Sequence, residues 1–379
     1  MNVAKKIDQT QAKNIWIQAQ GLNIKNPFGQ NGSESVAKAI QHLGYLQIDT
    51  INVIERCHHH ILYNRIPTYQ RKHLTAAQTL DKTVFEYWTH ALSYVPTTDF
   101  KYFINDMKSV NTAKGSWFGS VSKNDYQKVK KLLQKNPISI RDIKDDVLKE
   151  KRHEWDSKKP SKLALQLGFY KGDFVVSERE GMLKKYDLSL KHFGWEKLPN
   201  SVTESDRLNY MIDRAIRSQS IISLDSICHL QPQKKISIEK ILNQRVAHKK
   251  LIEIDMPTAG KTKHWMLPEI LEQKIKTNEL THILSPFDPL IIQRKRLKMF
   301  FDYEHLFEAY IPKEKRKYGY FSLPVLMKNN IVAVLDLKTD RQNQKLLIQN
   351  WVWLSKFKSA ENKHQIEIAL DKFEKFQLN

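Results

Sequence analysis

The sequence predicts an α+β protein in which a mainly helical region with short strands precedes a small antiparallel β domain. Up to residue 280, apolar positions recur mostly at the three- and four-residue spacing of helices. Beyond residue 281, strand-like runs follow one another, and an amphipathic helix is predicted over 361–376. The runs occupy residues 306–311, 318–326, 331–337 and 346–354, and Asn329 and Asn330 offer a tight turn between two of them.

The N-terminal residues predict two helices followed by an extended segment. Asp8 is a candidate N-cap for a helix over 9–20, and Ser33 for a second helix that ends before Gly44. Two helices and a strand in so short a span are typical of a winged helix, a helix-turn-helix variant with an added hairpin. Residues 1–135 are therefore predicted to form a winged-helix unit with a helical extension.

Two further stretches repeat this order of helix and hairpin. A basic helix over 158–168 precedes a strand–turn–strand pattern over 173–186, and 201–280 shows the same order more loosely. The predicted fold class is thus α+β, with three tandem winged-helix (helix-turn-helix) units followed by a small antiparallel β domain. The predicted boundaries are 1–135, 136–200 and 201–280 for the winged-helix units, and 281–379 for the β domain with its C-terminal helix.

The charge of the chain indicates a polyanionic partner. Its 379 residues include 62 Lys and Arg against 41 Asp and Glu, which gives a net charge of +21. Nucleic acid is the simplest partner; an anionic membrane surface and a merely solvated basic surface are the alternatives. No apolar run approaches the roughly 20 residues that a membrane-spanning helix needs.

Cysteine usage and the N-terminus favour a reducing, cytoplasmic location. Cys57 and Cys228 are too few for a disulfide framework or a cysteine-based zinc finger. Lys5 and Lys6 are not followed by the apolar region of a signal peptide. The sequence also lacks a glycine-rich phosphate loop and a nucleophile-elbow motif. We expect a cytoplasmic, nucleoid-associated monomer that uses no cofactor.

Residues 46–51 form the candidate catalytic motif. In an extended backbone, side chains alternate between faces, so Gln47 and Asp49 would project to one side and a buried Ile48 to the other. An ionised Asp49 accepts hydrogen bonds and stabilises a nearby cation, and the Gln47 amide both donates and accepts. The pair could therefore hold and orient a water molecule, unless it is only the wet face of a strand.

Histidines and basic runs supply candidate contacts to DNA. A metal site is not expected in the run from Arg56 to His60, because consecutive residues point in different directions and no second cluster supplies ligands. Around His90 the alternative is core packing, which we favour for Tyr87 and Trp88. The runs 293–298 and 313–318 are either solvated faces or a wall of a DNA groove that contacts the backbone. The candidate nucleic-acid contacts of the two basic runs are Arg294, Lys295, Arg296, Lys315, Arg316 and Lys317. Arg56, His58, His59 and His90 are added to them only by the family resemblance that residues 43–56 carry.

Residues 43–56 (LGYLQIDTINVIER) resemble the catalytic segment of the winged-helix DNA glycosylases that unhook interstrand crosslinks, the AlkZ/YcaQ family. The resemblance continues in the same order over nearly the whole chain. That family carries Gln-x-Gln or Gln-x-Asp at its catalytic site, and Gln47-Ile48-Asp49 is similar to the Gln-x-Asp branch. The further matching segments are 86–91 (EYWTHA), 284–289 (LSPFDP), 293–296 (QRKR) and 315–320 (KRKYGY).

The resemblance implies a monofunctional DNA glycosylase that hydrolyses the N-glycosidic bond of N7-alkylated purines and unhooks interstrand crosslinks. Alkylation at N7 makes the base a good leaving group, so Asp49 would stabilise charge on the sugar and deliver a water that Gln47 aligns. The expected partner is double-stranded DNA with alkylated or crosslinked purines. A winged-helix DNA-binding protein or transcription regulator without catalysis fits the charge and the helices equally well, and only the resemblance disfavours an RNA-binding factor.

Overall fold

The computed structural model describes residues 4–145, 148, 159–275 and 279–378. Over these residues the chain is a mixed α+β protein with small, largely antiparallel sheets, which confirms the predicted class. It forms two compact units, one from Met1–Gln70 together with Leu208–Asn379, and one from Arg71–Arg207. No helix within the described ranges is long and apolar enough to cross a membrane.

The bounds of the helices and strands follow in chain order. The helices are α1 (Gln9–Ala19), α2 (Ser33–Leu43), α3 (Cys57–Tyr63), α4 (Arg71–Thr79), α5 (Ile104–Lys108), α6 (Lys123–Lys135), α7 (Pro160–Tyr170), α8 (Ser189–Phe193), α9 (Glu204–Gln219), α10 (Leu224–Ile227), α11 (Lys235–Ala247), α12 (Arg294–Phe301) and α13 (Ala360–Leu378). The strands are β1 (Lys5–Lys6), β2 (Leu46–Gln47), β3 (Val84–Trp88), β4 (Leu92–Pro96), β5 (Ile138–Ser139), β6 (Phe174–Glu180), β7 (Leu183–Leu188), β8 (Ile252–Asp255), β9 (His264–Met266), β10 (Thr281–Ile283), β11 (Ser322–Met327), β12 (Asn330–Asp340) and β13 (Lys345–Trp353).

The first two helices begin and end for local chemical reasons. Asp8 caps α1 as predicted, because its carboxylate accepts a hydrogen bond from the backbone N–H of Gln11 at 2.8 Å. The predicted cap of α2 is wrong: Gly32 holds the N-cap position, and Ser33 is already the first helical residue. Helix α2 ends as predicted at Gly44, which adopts the left-handed conformation with a φ of +80°.

The larger unit contains two sheets. In one, β8 lies between β1, to which it is parallel, and β9, to which it is antiparallel. The other is antiparallel, in the order β10-β11-β12-β13, and α13 contributes Ile366, Leu370 and Phe373 to the core on it. The predicted strand over 306–311 does not form. The turn between β11 and β12 places its positive φ on Lys328 rather than on an asparagine.

The smaller unit contains two antiparallel pairings, β3 with β4 and the sheet β5-β7-β6. Helix α7 precedes the hairpin β6–β7, the order that the sequence predicts. The helix does not end at Gly168 but continues to Tyr170. Glycine is needed at 168 because a Cβ there would come within 2.0 Å of the Phe174 ring. Lys158, the first residue of the predicted helix, lies outside the described residues.

A buried ion pair joins two hairpins of the smaller unit. Glu86 on β3 accepts hydrogen bonds from Nε and Nη2 of Arg179 on β6, at 2.5 and 2.6 Å, and another from Gln78 at 3.2 Å. Tyr87 is buried as predicted, but Trp88 is 41 % exposed, so its predicted core position is wrong. Trp88 is the last residue of β3, where the hairpin turns, and its ring packs on Tyr170 with the rest of its surface in solvent.

Candidate active site

The end of α2 fixes the direction in which the candidate motif starts. A Cβ at Gly44 would lie 2.3 Å from Cγ of Arg214 on α9, and a φ of +80° is strained for any other residue. The backbone carbonyl of His42 accepts a hydrogen bond from Nε of Arg217, also on α9, at 3.3 Å. These contacts attach the last turn of α2 to α9 immediately before β2.

The motif itself leaves regular structure after two residues. Gln47 closes β2, and Gln47 and Ile48 are each only 6 % exposed. Ile48 is buried as predicted, and Gln47 is covered as well, so the two residues before Asp49 do not form the wet face of a strand. Asp49 is partly exposed, and its Oδ1 accepts the backbone N–H of Ile51 at 2.8 Å. This turn holds the carboxylate in one orientation at the edge of a buried segment.

The buried Cys57 thiol fixes the backbone of the motif at Gln47. Its thiol donates a hydrogen bond to the backbone carbonyl of Gln47 at 3.0 Å. Burial, together with the nearby Asp49 carboxylate, raises the pKa of the Cys57 thiol well above its usual value. The group is therefore a neutral donor that ties the start of α3 to the end of β2. Arg56, the predicted DNA contact just before it, is the partly exposed N-cap residue of α3.

The three consecutive histidines lie on α3 and face different surroundings. His58 is buried, whereas His59 is partly exposed and its Nδ1 lies 2.6 Å from the Tyr69 hydroxyl. His60 is fully buried and donates from Nε2 to the carbonyl of Ile283 at 2.7 Å, and burial lowers its pKa to about 4. No group of three His, Cys, Asp or Glu side chains that could hold a metal occurs among the described residues.

A buried arginine–carboxylate pair supports the segment, and sequence reasoning gave it no role. Arg65 donates from Nη1 and Nη2 to the two oxygens of Asp288, at 2.7 and 2.9 Å, and from Nε to the Gln20 carbonyl at 2.8 Å. Both charged side chains are fully buried. The pair joins Arg65, two residues beyond the end of α3, to the 285–289 loop and to the end of α1. The available signal was a single aspartate between Phe287 and the apolar run 289–292.

The first basic run forms α12, and its cations face two ways. Arg294 and Lys295 are exposed, as a DNA contact requires. Arg296 is 6 % exposed, lies over the rings of Trp16 and Phe300 at 4.3 and 4.6 Å, and donates to a backbone carbonyl. Burial lowers its pKa to about 9. The prediction that Arg296 contacts DNA is therefore wrong, because its guanidinium is part of the core.

Two buried carboxylates hold the backbone at the end of the second basic run, residues 313–318. Lys315 and Lys317 are exposed and Arg316 is partly exposed. Glu308 accepts the backbone N–H groups of residues 317, 318 and 319 at 2.6, 2.7 and 3.1 Å. Asp336 accepts the next two N–H groups, of residues 320 and 321, at 2.8 and 3.1 Å. Five consecutive backbone donors are thus held from inside, and the lysine side chains point outward.

His90 belongs to the smaller unit. It lies in the turn between β3 and β4, is partly exposed, and its Nδ1 lies 3.4 Å from the Thr89 hydroxyl. The described contacts therefore assign it no function. Gln47, Asp49 and the basic runs belong to the larger unit.

The match to a family model defines the class of the protein as a DNA repair enzyme. The family model described as "DNA glycosylase AlkZ-like" matches residues 40–376, which is most of the chain. The chain therefore belongs to the AlkZ-like DNA glycosylases. The solved structure of Streptomyces sahachiroi DNA glycosylase AlkZ matches with a TM-score of 0.64 and 14 % sequence identity over 98 % of each chain, which shows a common fold. The match to the family model confirms the family that residues 43–56 resemble, and membership of that family supports glycosylase activity on DNA.

Proposed function

We propose that the protein hydrolyses the N-glycosidic bond of N7-alkylated purines in double-stranded DNA, unhooks crosslinked purines, and leaves an abasic site. The observation that carries this proposal is the Asp49 carboxylate. It is partly exposed in a chain with a net charge of +21, while the Gln47 and Ile48 side chains that precede it are buried. A carboxylate facing polyanionic DNA weakens binding, so a chemical role is the simplest reason for its position.

The reaction needs few groups because the leaving base is already cationic. As the bond from C1′ to N9 breaks, its electron pair neutralises the alkylated base and positive charge develops on the sugar. Asp49 stabilises that charge, and its second oxygen, Oδ2, receives a proton from the water that attacks C1′. Oδ1 is held by the N–H of Ile51, which keeps Oδ2 in place. We assign the Gln47 amide to the orientation of this water, as in the Gln-x-Asp branch.

The proposed route of DNA runs over winged-helix units. Three features support such units: the helix-then-hairpin order of α7, β6 and β7, the helices α9 to α11 followed by the pair β8 and β9, and the two helices before β2. We retain the predicted boundaries 1–135, 136–200, 201–280 and 281–379 as a proposal. The proposed DNA contacts are Arg56, His59, His90, Arg294, Lys295, Lys315, Arg316 and Lys317; the buried His58 would act only next to the lesion.

Crosslinked bases constrain the site, because a base joined to the opposite strand cannot leave the helix freely. We therefore propose that the lesion is processed in place at an open surface instead of in a deep base-flipping pocket. The partial exposure of Asp49 and Ile51 and the exposure of Thr50 between them support this proposal. The protein would act as a monomer, since a single copy supplies both proposed catalytic groups.

The test is incubation of the purified protein with a duplex that carries one N7-methylguanine, followed by alkaline strand cleavage. We expect cleavage only after alkali, and we expect activity to survive EDTA. Borohydride should trap no covalent adduct, because residues 44–64 contain no lysine to form a Schiff base. If the protein binds DNA but releases no base from any of the N7-alkylated duplexes tested, a winged-helix DNA-binding protein without catalysis would be the better account.

A further inference from the structure

The loop over residues 308–320, here called the basic–aromatic loop, displays the most exposed aromatic ring among the large exposed apolar side chains of the described residues. Tyr310 is 86 % exposed, and the adjacent Ile311 is 36 % exposed. An exposed apolar side chain is ordinary by itself, but an exposed aromatic ring beside a run of cations has the composition of a surface that binds nucleic acid. Tyr310 has no part in the proposed chemistry of Gln47 and Asp49.

The backbone around Tyr310 is firmly held. Glu308 binds the far end of the loop through the N–H groups of residues 317–319, and its own carbonyl accepts the N–H of Ile311 at 3.0 Å. The guanidinium of Arg316 crosses the loop and donates from Nε to the Ile311 carbonyl at 2.7 Å. The loop therefore presents Tyr310 with little conformational entropy left to lose on binding.

Aromatic packing connects this tyrosine to the interior. The ring of Tyr310 meets Phe307 edge-on at a centroid distance of 6.0 Å, and Phe307 contacts Phe287 at 5.2 Å. Phe287 immediately precedes Asp288, the buried partner of Arg65. One edge of the Tyr310 ring is thus supported by the core, while most of its surface remains exposed to solvent.

The charge beside the ring fits DNA rather than another protein surface of mixed charge. Residues 313–317 carry Lys313, Lys315, Arg316 and Lys317 against the single acid Glu314, and the other nearby carboxylates, Glu308 and Asp336, are buried on backbone N–H groups. Lysines beside an exposed ring make a site in which phosphates bind the cations and a base stacks on the aromatic face.

We propose that Tyr310 is an aromatic wedge that stacks against a base at a damaged step of duplex DNA. The choice of a damaged base as the partner of this wedge rests on the proposed function. A damaged or unpaired base costs the least free energy to unstack, so it is the base most readily exposed to a ring. Stacking there would hold the distorted duplex while the flanking cations bind the backbone. The wedge supplies recognition of damage and no chemical step.

The experiment compares binding to two duplexes that differ only in one abasic-site analogue, tetrahydrofuran. We expect the wild-type protein to prefer the tetrahydrofuran duplex. Tyr310→Ala should lower that preference by roughly 5- to 150-fold, the range for loss of one base-stacking aromatic. Its affinity for the intact duplex should remain unchanged. Tyr310→Phe should keep the preference, because stacking needs the ring and not the hydroxyl.

Matched controls separate stacking from charge and from folding. Lys315→Ala should weaken binding to both duplexes equally and reduce the slope of log K against log salt by about 1. Ile348→Ala, which removes a 48 % exposed side chain on β13, should change neither. The wedge is refuted if Tyr310→Ala keeps the full preference, or if it weakens both duplexes alike. Because no base is released in this assay, failure of the proposed catalysis would leave its result intact.

Discussion

Two irregular segments of the larger unit use carboxylates in opposite ways. In the segment around Asp49, the side chains of Gln47 and Ile48 are buried and the carboxylate is partly exposed. In the basic–aromatic loop, the carboxylates of Glu308 and Asp336 are buried and saturated by backbone N–H groups, while the lysines and Tyr310 are exposed. The difference indicates that the loop acids are structural, and it agrees with the chemical role that we propose for Asp49.

The comparison predicts its largest effect at Asp49. Asp49→Asn keeps the shape and removes the charge, so base release should fall by at least about 10²- to 10⁴-fold. Binding to the same duplex should persist or tighten slightly, because one negative charge facing DNA is gone. Gln47→Ala should lose less activity, since the carboxylate remains. Single-turnover release of N7-methylguanine measures the loss in both variants. If Asp49→Asn released the base as fast as the wild type, the contrast between Asp49 and the structural acids of the loop would not hold.

A second large effect is expected where a buried carboxylate has a buried cation as its partner. Asp288→Asn leaves the Arg65 charge uncompensated in the core and should lower the free energy of unfolding by about 3–5 kcal/mol. The matched control is Glu367→Gln, which breaks an exposed pair with Lys363 and should change stability by at most about 1 kcal/mol. Urea denaturation of both variants tests this, and equal effects would show that the buried pair is not a structural support.

A smaller effect is expected in the basic–aromatic loop. In wild type, both carboxylate oxygens of Glu308 accept hydrogen bonds from backbone N–H groups. Glu308→Gln places an amide NH₂ against these N–H donors and should lower the free energy of unfolding by about 1–3 kcal/mol. Salt-sensitive binding should weaken with it, because Lys315 and Lys317 lose their fixed positions. Base release at saturating protein should stay near the wild-type rate. A loss of release as large as that of Asp49→Asn would mean that the loop acids are not merely structural.

A further predicted effect is a pH dependence of stability. Burial lowers the pKa of His60 and His282 to about 4, whereas unfolded histidine titrates near about 6.5. Between these values the unfolded chain binds protons that the folded chain does not, so the free energy of unfolding falls as the pH drops through this window. Urea midpoints at about pH 7.5 and about pH 5 should show it, and His282→Gln should reduce the difference. Equal midpoints would contradict the buried, neutral state of both rings.

Local signals predicted much of the fold. The cap at Asp8, the end of α2 at Gly44 and the helix before the hairpin β6–β7 follow from short-range chemistry that the sequence displays. The 306–311 run failed as a strand because Glu308 needs N–H partners about ten residues away, which no local pattern reveals. Strand β10 went unpredicted because its three residues depend on pairing with β11.

The candidate site was named from the motif and the family resemblance, and the roles of Gln47 and Asp49 stay a proposal. What the sequence could not predict is that β2 ends after two residues and that the Gln47 side chain is covered. Arg296 was misassigned because a charge run was read without its helical period. In α12, Arg296, Leu297 and Phe300 recur at helical spacing and face the core. This spacing is visible in the sequence and would have placed Arg296 on the buried face.

The most direct test of the account follows free-base release and DNA binding together on one duplex that carries a single N7-methylguanine. Wild type, Asp49→Asn and Glu308→Gln are compared under single-turnover conditions with protein in excess. We predict release by wild type and by Glu308→Gln, and no detectable release by Asp49→Asn although it binds the duplex as tightly as wild type. Release by Asp49→Asn at the wild-type rate would contradict the assignment of catalysis to this carboxylate.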